Sequence, residues 1–238
     1  MNKFISKNDY IKAIETPINF LEEAVLLAKE YGYYLRIFHP SLGIKASIEE
    51  RFELRDKPTI VDLSALLLYP ELDRLTIEEF PSIILEIKNI NIIYELKKLT
   101  SLSIREKRMP TIDISRIANL QTFACNPCDK KHAVNINKAI NLKSAKLWSY
   151  KGKDLTEFSG LEKLESLELM NPSICSLKGI EHMRALKNLT LLGTRKLEDV
   201  SLLEKSLDKL PNLTRVELPK KFEAEMQRIN ELLKQKRN

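Results

Sequence analysis

Residues 125–128 form the C-x-x-C motif Cys-Asn-Pro-Cys, which comes nearer to a chemical site than any other motif in this sequence. Two cysteines at this spacing can close a redox disulfide or supply two zinc ligands, and His132 follows at a spacing that suits a third ligand. A redox pair also needs a cation or a helix N-terminus that lowers the pKa of one thiol, and a structural zinc site needs four ligands. The sequence has no second C-x-x-C or C-x-x-H pair, and Cys175 stands alone.

No other residues form a recognisable catalytic arrangement. The three histidines, His39, His132 and His182, are far apart in the sequence, and none belongs to an H-E-x-x-H pattern. The serines lack a G-x-S-x-G context, and neither G-x-G-x-x-G nor a P-loop occurs. No pair of carboxylates can be singled out as an acid and a base. We therefore predict a protein that is not an enzyme and that has no catalytic residue, no metal ligand and no cofactor.

A leucine repeat determines the elements that carry these residues. The segment 161–192 contains the motif Leu-x-x-Leu-x-Leu twice, once from Leu164 and again from Leu186. The same apolar positions continue in both directions, at a nearly constant spacing in the middle of the chain and at a wider spacing at either end. A common register is expected when each unit buries its apolar edge only against its neighbours. Seven strands are predicted, and the first apolar positions of their motifs are Leu72, Leu99, Leu120, Leu142, Leu164, Leu186 and Leu213.

The period and spelling of these motifs are typical of leucine-rich repeats, in which each unit adds one short strand and returns through a turn or short helix. Over about residues 72–218 the chain resembles the bacterial internalin-like class with 22-residue repeats. The resemblance implies an α/β solenoid with a curved parallel sheet. That class usually carries Asn, sometimes Cys, three residues after the last leucine of each strand. Here only Cys128 conforms, and the other positions hold Phe80, Lys107, Tyr150, Pro172, Thr194 and Lys221.

The repeat register offers a structural explanation for the two cysteines. Cys125 falls on the third apolar position of its motif, where the side chain points into the core, and Cys128 falls three residues later. Buried cysteines behave as small apolar side chains. We therefore interpret Cys125 and Cys128 as structural, and a thiol or zinc site at these residues is kept as an alternative.

Composition and charge indicate a folded, soluble chain. Hydrophobic residues make up 43% and charged residues 30% of the 238 residues, which excludes disorder. The N-terminus lacks the apolar core of a signal peptide, and no stretch reaches 18 uncharged apolar residues, so we expect a cytoplasmic protein with no membrane association. Three cysteines agree with a reducing compartment. The Lys-, Ile- and Asn-rich composition indicates a bacterial source.

Both ends of the repeat array are expected to be capped, because the first and last strands of a solenoid expose apolar edges and unpaired backbone groups. Residues 1–65 are predicted to form a separate α/β N-terminal cap. Within it, residues 1–15 are interpreted as an irregular or helical lead-in, and Thr16-Pro17 resembles the start of a helix over residues 17–31. Strands are predicted at 33–38, 46–54 and 59–63.

The solenoid itself is predicted to span residues 66–220. Its two wider intervals, one before Leu99 and one before Leu213, contain extra apolar segments, with a strand predicted at 85–87 and a helix over 202–210. Residues 221–238 are predicted to form a C-terminal capping helix that covers the last strand. The apolar stripe of this helix consists of Phe222, Met226, Ile229 and Leu233.

The residues between the leucines define the candidate site, because strand side chains alternate and these residues face outward from the predicted concave sheet. Trp148, Met170 and Leu192 occupy the last outward position on three successive strands. Stacked strands lie about 4.8 Å apart, so these three would form one contiguous apolar strip. Trp is strongly enriched in interface hot spots, and this is the only Trp in the chain. Polar neighbours of the strip are expected to be Lys146, Glu168, Arg105 and Asn126. A loop or the C-terminal helix folded over the strip would make it ordinary core instead.

These observations predict a non-enzymatic scaffold that captures a protein partner on the concave face of the repeat sheet and is monomeric when free. Analogy of fold suggests an immunity or regulatory protein that blocks a toxin or enzyme. Nucleic-acid binding through the basic surface is an alternative, because the net charge is +6. It is disfavoured because 33 acidic residues are interleaved with the cations. The thiol or zinc site is the other alternative.

Overall fold

The computed structural model of the chain describes residues 5–17, 20–38, 59–78, 84–105, 110–129 and 131–236. The chain divides into two compact units. Unit 1 comprises Met1–Ile112 and Ile117–Leu120, and unit 2 comprises Asp113–Arg116 and Gln121–Asn238. Each unit is built on parallel strands that alternate with turns and short helices, as the leucine pattern predicts.

The strands and helices are short and follow one another closely. In unit 1 the described elements are β1 (Ser6–Asn8), β2 (Ala13–Pro17), α1 (Leu21–Tyr31), β3 (Tyr34–Phe38), β4 (Thr59–Asp62), β5 (Arg74–Ile77), β6 (Ile84–Lys88) and β7 (Ser101–Ile104). The chain then forms β8 (Ile112–Asp113). In unit 2 the described elements are β9 (Thr122–Cys125), β10 (Ala133–Val134), β11 (Ser144–Trp148), β12 (Ser166–Met170), β13 (Asn188–Leu192), α2 (Ser201–Lys205), β14 (Arg215–Glu217) and α3 (Glu223–Gln235).

The apolar positions of the repeat hold the strands in one register. In unit 2, β9, β11, β12, β13 and β14 lie side by side in this order and run parallel. The second apolar position of each motif pairs with the same position of the next strand, and these side chains are buried: Phe123, Ala145, Leu167, Leu189 and Val216. In unit 1, β5 and β7 align Leu75 with Leu102 and Ile77 with Ile104. The seven strands predicted from the motifs are confirmed.

The sheet of unit 1 extends further toward the N-terminus than the leucine motifs indicate. β2 and β3 run parallel, and β3 pairs with β5, so Ile14, Leu35 and Leu75 are aligned across three strands. β1 pairs antiparallel with β2. The interpretation of residues 1–15 as an irregular or helical lead-in was therefore wrong for the described part of that segment.

The predicted start of the first helix was also wrong. Thr16 and Pro17 form the end of β2, whose residues are all buried, and α1 begins at Leu21. The pairing of β1 with β2 ends at Glu15. Pro17 lies beyond this pairing, so on that side of β2 its missing amide N–H breaks no hydrogen bond between strands. The end of the helix is as predicted, since Gly32 adopts a left-handed φ of 65° and bonds back to the last turn.

The remaining predicted elements are found with changed bounds. β4 starts at Thr59, and it pairs with β6, which contains the strand predicted at 85–87. The helix predicted over 202–210 is divided into α2 and a separate 3-10 helix, Leu207–Lys209. The strand predicted at 46–54 lies outside the described residues. The proposed domain boundaries after residues 65 and 220 stay predictions.

Aspartates begin several of the turns by which the chain returns between strands. Asp62 accepts a hydrogen bond from the backbone N–H of Ser64 at 2.9 Å, and Asp113, Asp154 and Asp199 accept the same bond from the residue two positions later. Donation by the Ser64 hydroxyl, and then by the Asn89 amide, lowers the pKa of Asp62 from 3.8 to about 2. The negative charge is therefore preferred in the folded state.

This lowered pKa predicts a defined pH dependence for Asp62→Asn. The charged form stabilises the fold above pH 4, and the contribution is lost as the pH falls toward 2, because the folded pKa lies below the unfolded value. Asn keeps the oxygen acceptor and removes the charge. Urea unfolding at pH 7 and pH 2 should therefore show a smaller loss of stability for Asp62→Asn than for the wild type. Glu162→Gln, at an exposed carboxylate, is the control, and an equal loss in all three proteins would contradict the prediction.

The C-terminal helix α3 covers the free edge of β14, as predicted. Ile229 and Leu233 are buried, and Phe222, just before the helix, is buried as well. The side-chain amide of Asn230 accepts a hydrogen bond from the N–H of Val216 at 3.0 Å and donates one to the Val216 carbonyl at 2.8 Å. The amide thereby takes the place of a further strand at this position.

Removal of the Asn230 amide should leave two backbone groups of β14 without partners. Asn230→Ala is expected to lower the free energy of unfolding by about 2 kcal/mol, because each unsatisfied buried group costs about 1–3 kcal/mol. Urea titration followed by circular dichroism measures this change. Lys234→Ala, at an exposed position of the same helix, is the matched control, and equal stability of the two variants would contradict the role given to Asn230.

Candidate functional site

The predicted apolar strip is held by three neighbouring strands of unit 2. The parallel register aligns Trp148 on β11 with Met170 on β12, and Met170 with Leu192 on β13. The side chains alternate along each strand, so the leucine positions are buried and the three strip residues lie on the opposite face. All three are half-buried, so in the described structure the strip is not enclosed as core.

A turn at the end of each strand fixes where the strip lies. The next residues, Ser149, Asn171 and Gly193, adopt left-handed φ values of 59°, 50° and 67°. The N–H of Ser149 donates to the Met170 carbonyl, and the N–H of Asn171 donates to the Leu192 carbonyl, both at 2.7 Å. Gly193 adopts this conformation without strain, and a Cβ there would force the Asn171 side chain to move. The chain therefore leaves the sheet directly after each strip residue.

The charged side chains beside the strip are neutralised within the sheet. Lys146 Nζ lies 2.7 Å from Glu168 Oε1 on the next strand, and it also lies 5.0 Å from the centroid of the Trp148 ring. On β14, Arg215 lies 3.4 Å from Glu217. The cation next to the indole is thus paired twice, once with a carboxylate and once with the aromatic face. The charges of these two ion pairs sum to zero.

A groove of about 520 Å³ adjoins the strip in unit 2. Leu192 belongs to both the strip and the groove wall, and the remaining lining residues are Ser166, Glu168, Asn188, Thr190, Arg215 and Glu217. Most of these were not predicted as site residues. The alternation of β12, β13 and β14 marks them as outward-facing. No feature of the sequence reveals the groove, because its volume depends on the bulk of neighbouring side chains.

The roles of two further predicted neighbours of the strip, Asn126 and Arg105, stay predictions. Asn126 is half-buried and directly follows Cys125, which pairs with Leu147, so the same register continues from Asn126 toward Trp148. Arg105 belongs to unit 1, where it lies 3.5 Å from Glu78. Glu78 also pairs with Arg36 at 2.9 Å, so Arg105 is part of an ion-pair cluster on the strands of unit 1.

The cysteine pair lies inside the core of unit 2. Cys128 is 1% exposed and Cys125 is 4% exposed, and Cys125 Sγ lies 3.1 Å from the Pro127 carbonyl oxygen. The neighbouring Cys125 thiol and burial both raise the pKa of Cys128, which keeps this thiol protonated, whereas a redox nucleophile needs a lowered pKa. His132 is bonded to Asp129 at 2.6 Å. Within the described residues, no three His, Cys, Asp or Glu side chains are grouped as metal ligands.

Thiol labelling should separate the buried pair from the exposed Cys175. Iodoacetamide at pH 8 is expected to modify Cys175 in the native protein and to leave Cys125 and Cys128 unmodified, because both are buried and the raised pKa keeps Cys128 protonated. All three should react in urea. Mass spectrometry of peptides after labelling measures each site, and rapid native labelling of Cys125 or Cys128 would favour the thiol-site alternative.

Comparison with protein-family models and with curated proteins finds no match for this sequence. Comparison with solved structures finds an internalin, InlF, of Listeria monocytogenes, at 19% identity and a TM-score of 0.54, covering 84% of this chain and 56% of that one. A leucine-rich-repeat protein of Leptospira interrogans is matched at 23% identity and a TM-score of 0.50, over 68% of this chain and 40% of the other. Internalin C2 of Listeria monocytogenes is matched at 18% identity and a TM-score of 0.50, over 83% of this chain and 92% of the other.

These matches show the fold of the chain. It is an internalin-like leucine-rich-repeat fold, an α/β solenoid of parallel strands with a C-terminal helix, which confirms the resemblance found in the sequence. The chain spans about half the length of the first two of these proteins. Among the described helices, none has the length and apolar character that a membrane span requires.

Proposed function

We propose that this chain is a non-enzymatic scaffold that captures a protein partner on the concave face of the repeat sheet in unit 2. The observation that carries this proposal is the alignment of Trp148, Met170 and Leu192 on one half-buried line. Aromatic and methionine side chains are enriched at the centres of protein interfaces. Trp148 and Met170 are of these types, and together with Leu192 they can fill a shallow apolar pocket of a partner.

The charges beside the strip support a protein partner over a nucleic acid. A nucleic-acid surface needs an excess of cations that contact phosphates. Here Lys146 is paired with Glu168, and Arg215 lies beside Glu217, so these two pairs add no excess of positive charge to the face. Apolar contact at the strip would provide most of the affinity, and the paired charges would fix the orientation of the partner.

Within this role, the partner is a toxin or an enzyme whose surface the scaffold covers, so that the chain acts as an immunity or regulatory protein in the cytoplasm. The free chain is a monomer. The basis of this assignment is analogy of fold: a scaffold whose apolar strip fills a pocket of its partner also covers that pocket. Catalysis forms no part of the proposal.

Trp148→Ala tests the proposed site. The variant should reduce capture of the partner from a lysate of the source cell by about 30-fold or more, because truncation of a central aromatic anchor typically costs at least about 2 kcal/mol of binding energy. The control is Ile140→Ala in the same unit, which removes an apolar side chain that is 68% exposed and lies outside the sheet strands.

Circular dichroism and urea unfolding must show that both variants remain folded. If Trp148→Ala captures the same partner with the same affinity, the proposed site is contradicted. If Ile140→Ala loses capture equally, general surface apolarity drives the binding. Met170→Ala provides a second folded variant of the strip if Trp148→Ala loses stability.

A further inference from the structure

A second groove lies in unit 1. It has a volume of about 320 Å³. It is formed where β2, β3 and β5 begin, and we call it the tyrosine groove. Its lining residues include Tyr10, Lys12, Gly32, Tyr34, Asp73 and Arg74.

The turn between β1 and β2 holds one wall of the groove in place. Asn8 Oδ1 accepts a hydrogen bond from the N–H of Ile11 at 3.3 Å, and the Lys12 carbonyl accepts one from the N–H of Tyr34 at 3.0 Å. Lys12 has a left-handed φ of 53°, which few residues other than glycine adopt without strain. The turn therefore presents Tyr10 from a defined backbone, although the Tyr10 side chain is 97% exposed and contributes nothing to the core.

Among the described residues, the groove carries two cations that have no carboxylate partner. Neither Lys12 nor Arg74 makes an ion pair within that part of the chain, whereas Arg36 on the neighbouring strand pairs with both Glu15 and Glu78. The Arg74 guanidinium lies 5.0 Å from the centroid of the Tyr34 ring. This contact holds the guanidinium near the ring, and its N–H groups can still donate to a carboxylate.

The remaining lining residues limit what the groove can hold. Gly32 has no side chain, and no atom of the described residues lies within 4 Å of where its Cβ would be, so it leaves open space in the lining. Asp73 supplies one acceptor, which leaves the lining with an excess of one positive charge. A volume of about 320 Å³ is at the lower end of the range for ligand sites and suits a few residues of an extended chain.

We propose that the tyrosine groove binds an acidic polypeptide segment of a partner protein. Arg74 and Lys12 bind carboxylate side chains of that segment, Tyr10 and Tyr34 pack against its backbone and methylene groups, and Asp73 accepts from a backbone N–H. The net charge of +6 on the whole chain favours the approach of such a partner. This proposal does not depend on the role given to the apolar strip.

The test uses a defined probe and three variants. The probe is a fluorescein-labelled, C-terminally amidated decapeptide of alternating Glu and Gly, and binding is measured by fluorescence anisotropy at low salt. Lys12→Gln/Arg74→Gln removes both cations, and Tyr10→Ala removes the exposed ring without touching the core. Lys205→Gln/Lys209→Gln, at two exposed lysines of unit 2, is the control with the same change in net charge.

The control is expected to bind the probe as the wild type does, and Lys12→Gln/Arg74→Gln should bind it about tenfold more weakly or worse, because two charge-assisted hydrogen bonds are lost. Tyr10→Ala should weaken binding about threefold, since a ring contact at a wet surface is modest. Thermal unfolding must match the wild type. If the double variant does not fold, Tyr10→Ala decides the outcome.

Three results would overturn the proposal. The first is absence of binding by the wild type, or equal binding of the Gln–Gly version of the probe. The second is an equal loss in the Lys205→Gln/Lys209→Gln control, which would indicate only general charge attraction. The third is displacement of the probe by inorganic phosphate but not by chloride of the same ionic strength, which would indicate a simple anion site.

Discussion

Register between neighbouring parallel strands is the constraint on which every other feature of this molecule depends. A repeat strand has one buried face, and a shift by one residue would turn every leucine toward water. Backbone bonding and leucine burial therefore specify the same alignment, from Ala145 with Leu167 to Leu167 with Leu189. The buried face sets the register, and the residues of the opposite face follow it. Their side-chain types are therefore not restricted by core packing.

The sequence predicts the strands well where the apolar period is unbroken, and less well where another signal competes. Ile14 and Leu35 occupy equivalent positions in β2 and β3 and are separated by about one repeat length. Nearly two repeat lengths separate Leu35 from Leu75, and the period cannot be followed across that gap. Thr16-Pro17 has the sequence pattern of a helix start, but it forms the end of a strand because it pairs with β3. Tertiary pairing overrides a local preference in this case.

The two candidate sites also differ in how far the sequence predicts them. Alternation alone placed Trp148, Met170 and Leu192 on one face, because a parallel register carries sequence positions directly into neighbouring places. The tyrosine groove could not be found in this way. Its residues come from a turn, a helix end and two strand starts, and their closeness depends on how the turn after β1 is folded. The sequence does not distinguish the two cations of the groove from the other charged residues, because only the structure shows which cations of the described part have a carboxylate partner.

The edge of β2 in unit 1 and the edge of β14 in unit 2 are covered in different ways. These two covers determine where a further repeat could be added. In unit 1 a short antiparallel strand, β1, covers β2, and in unit 2 the amide of Asn230 occupies the backbone groups of Val216. A repeat added after β14 would find its pairing partners already taken. Duplication of one repeat between β11 and β13, in contrast, meets a matching register on both sides. Such an insertion would widen this face of the sheet by one strand spacing, about 4.8 Å, and would leave both covers intact.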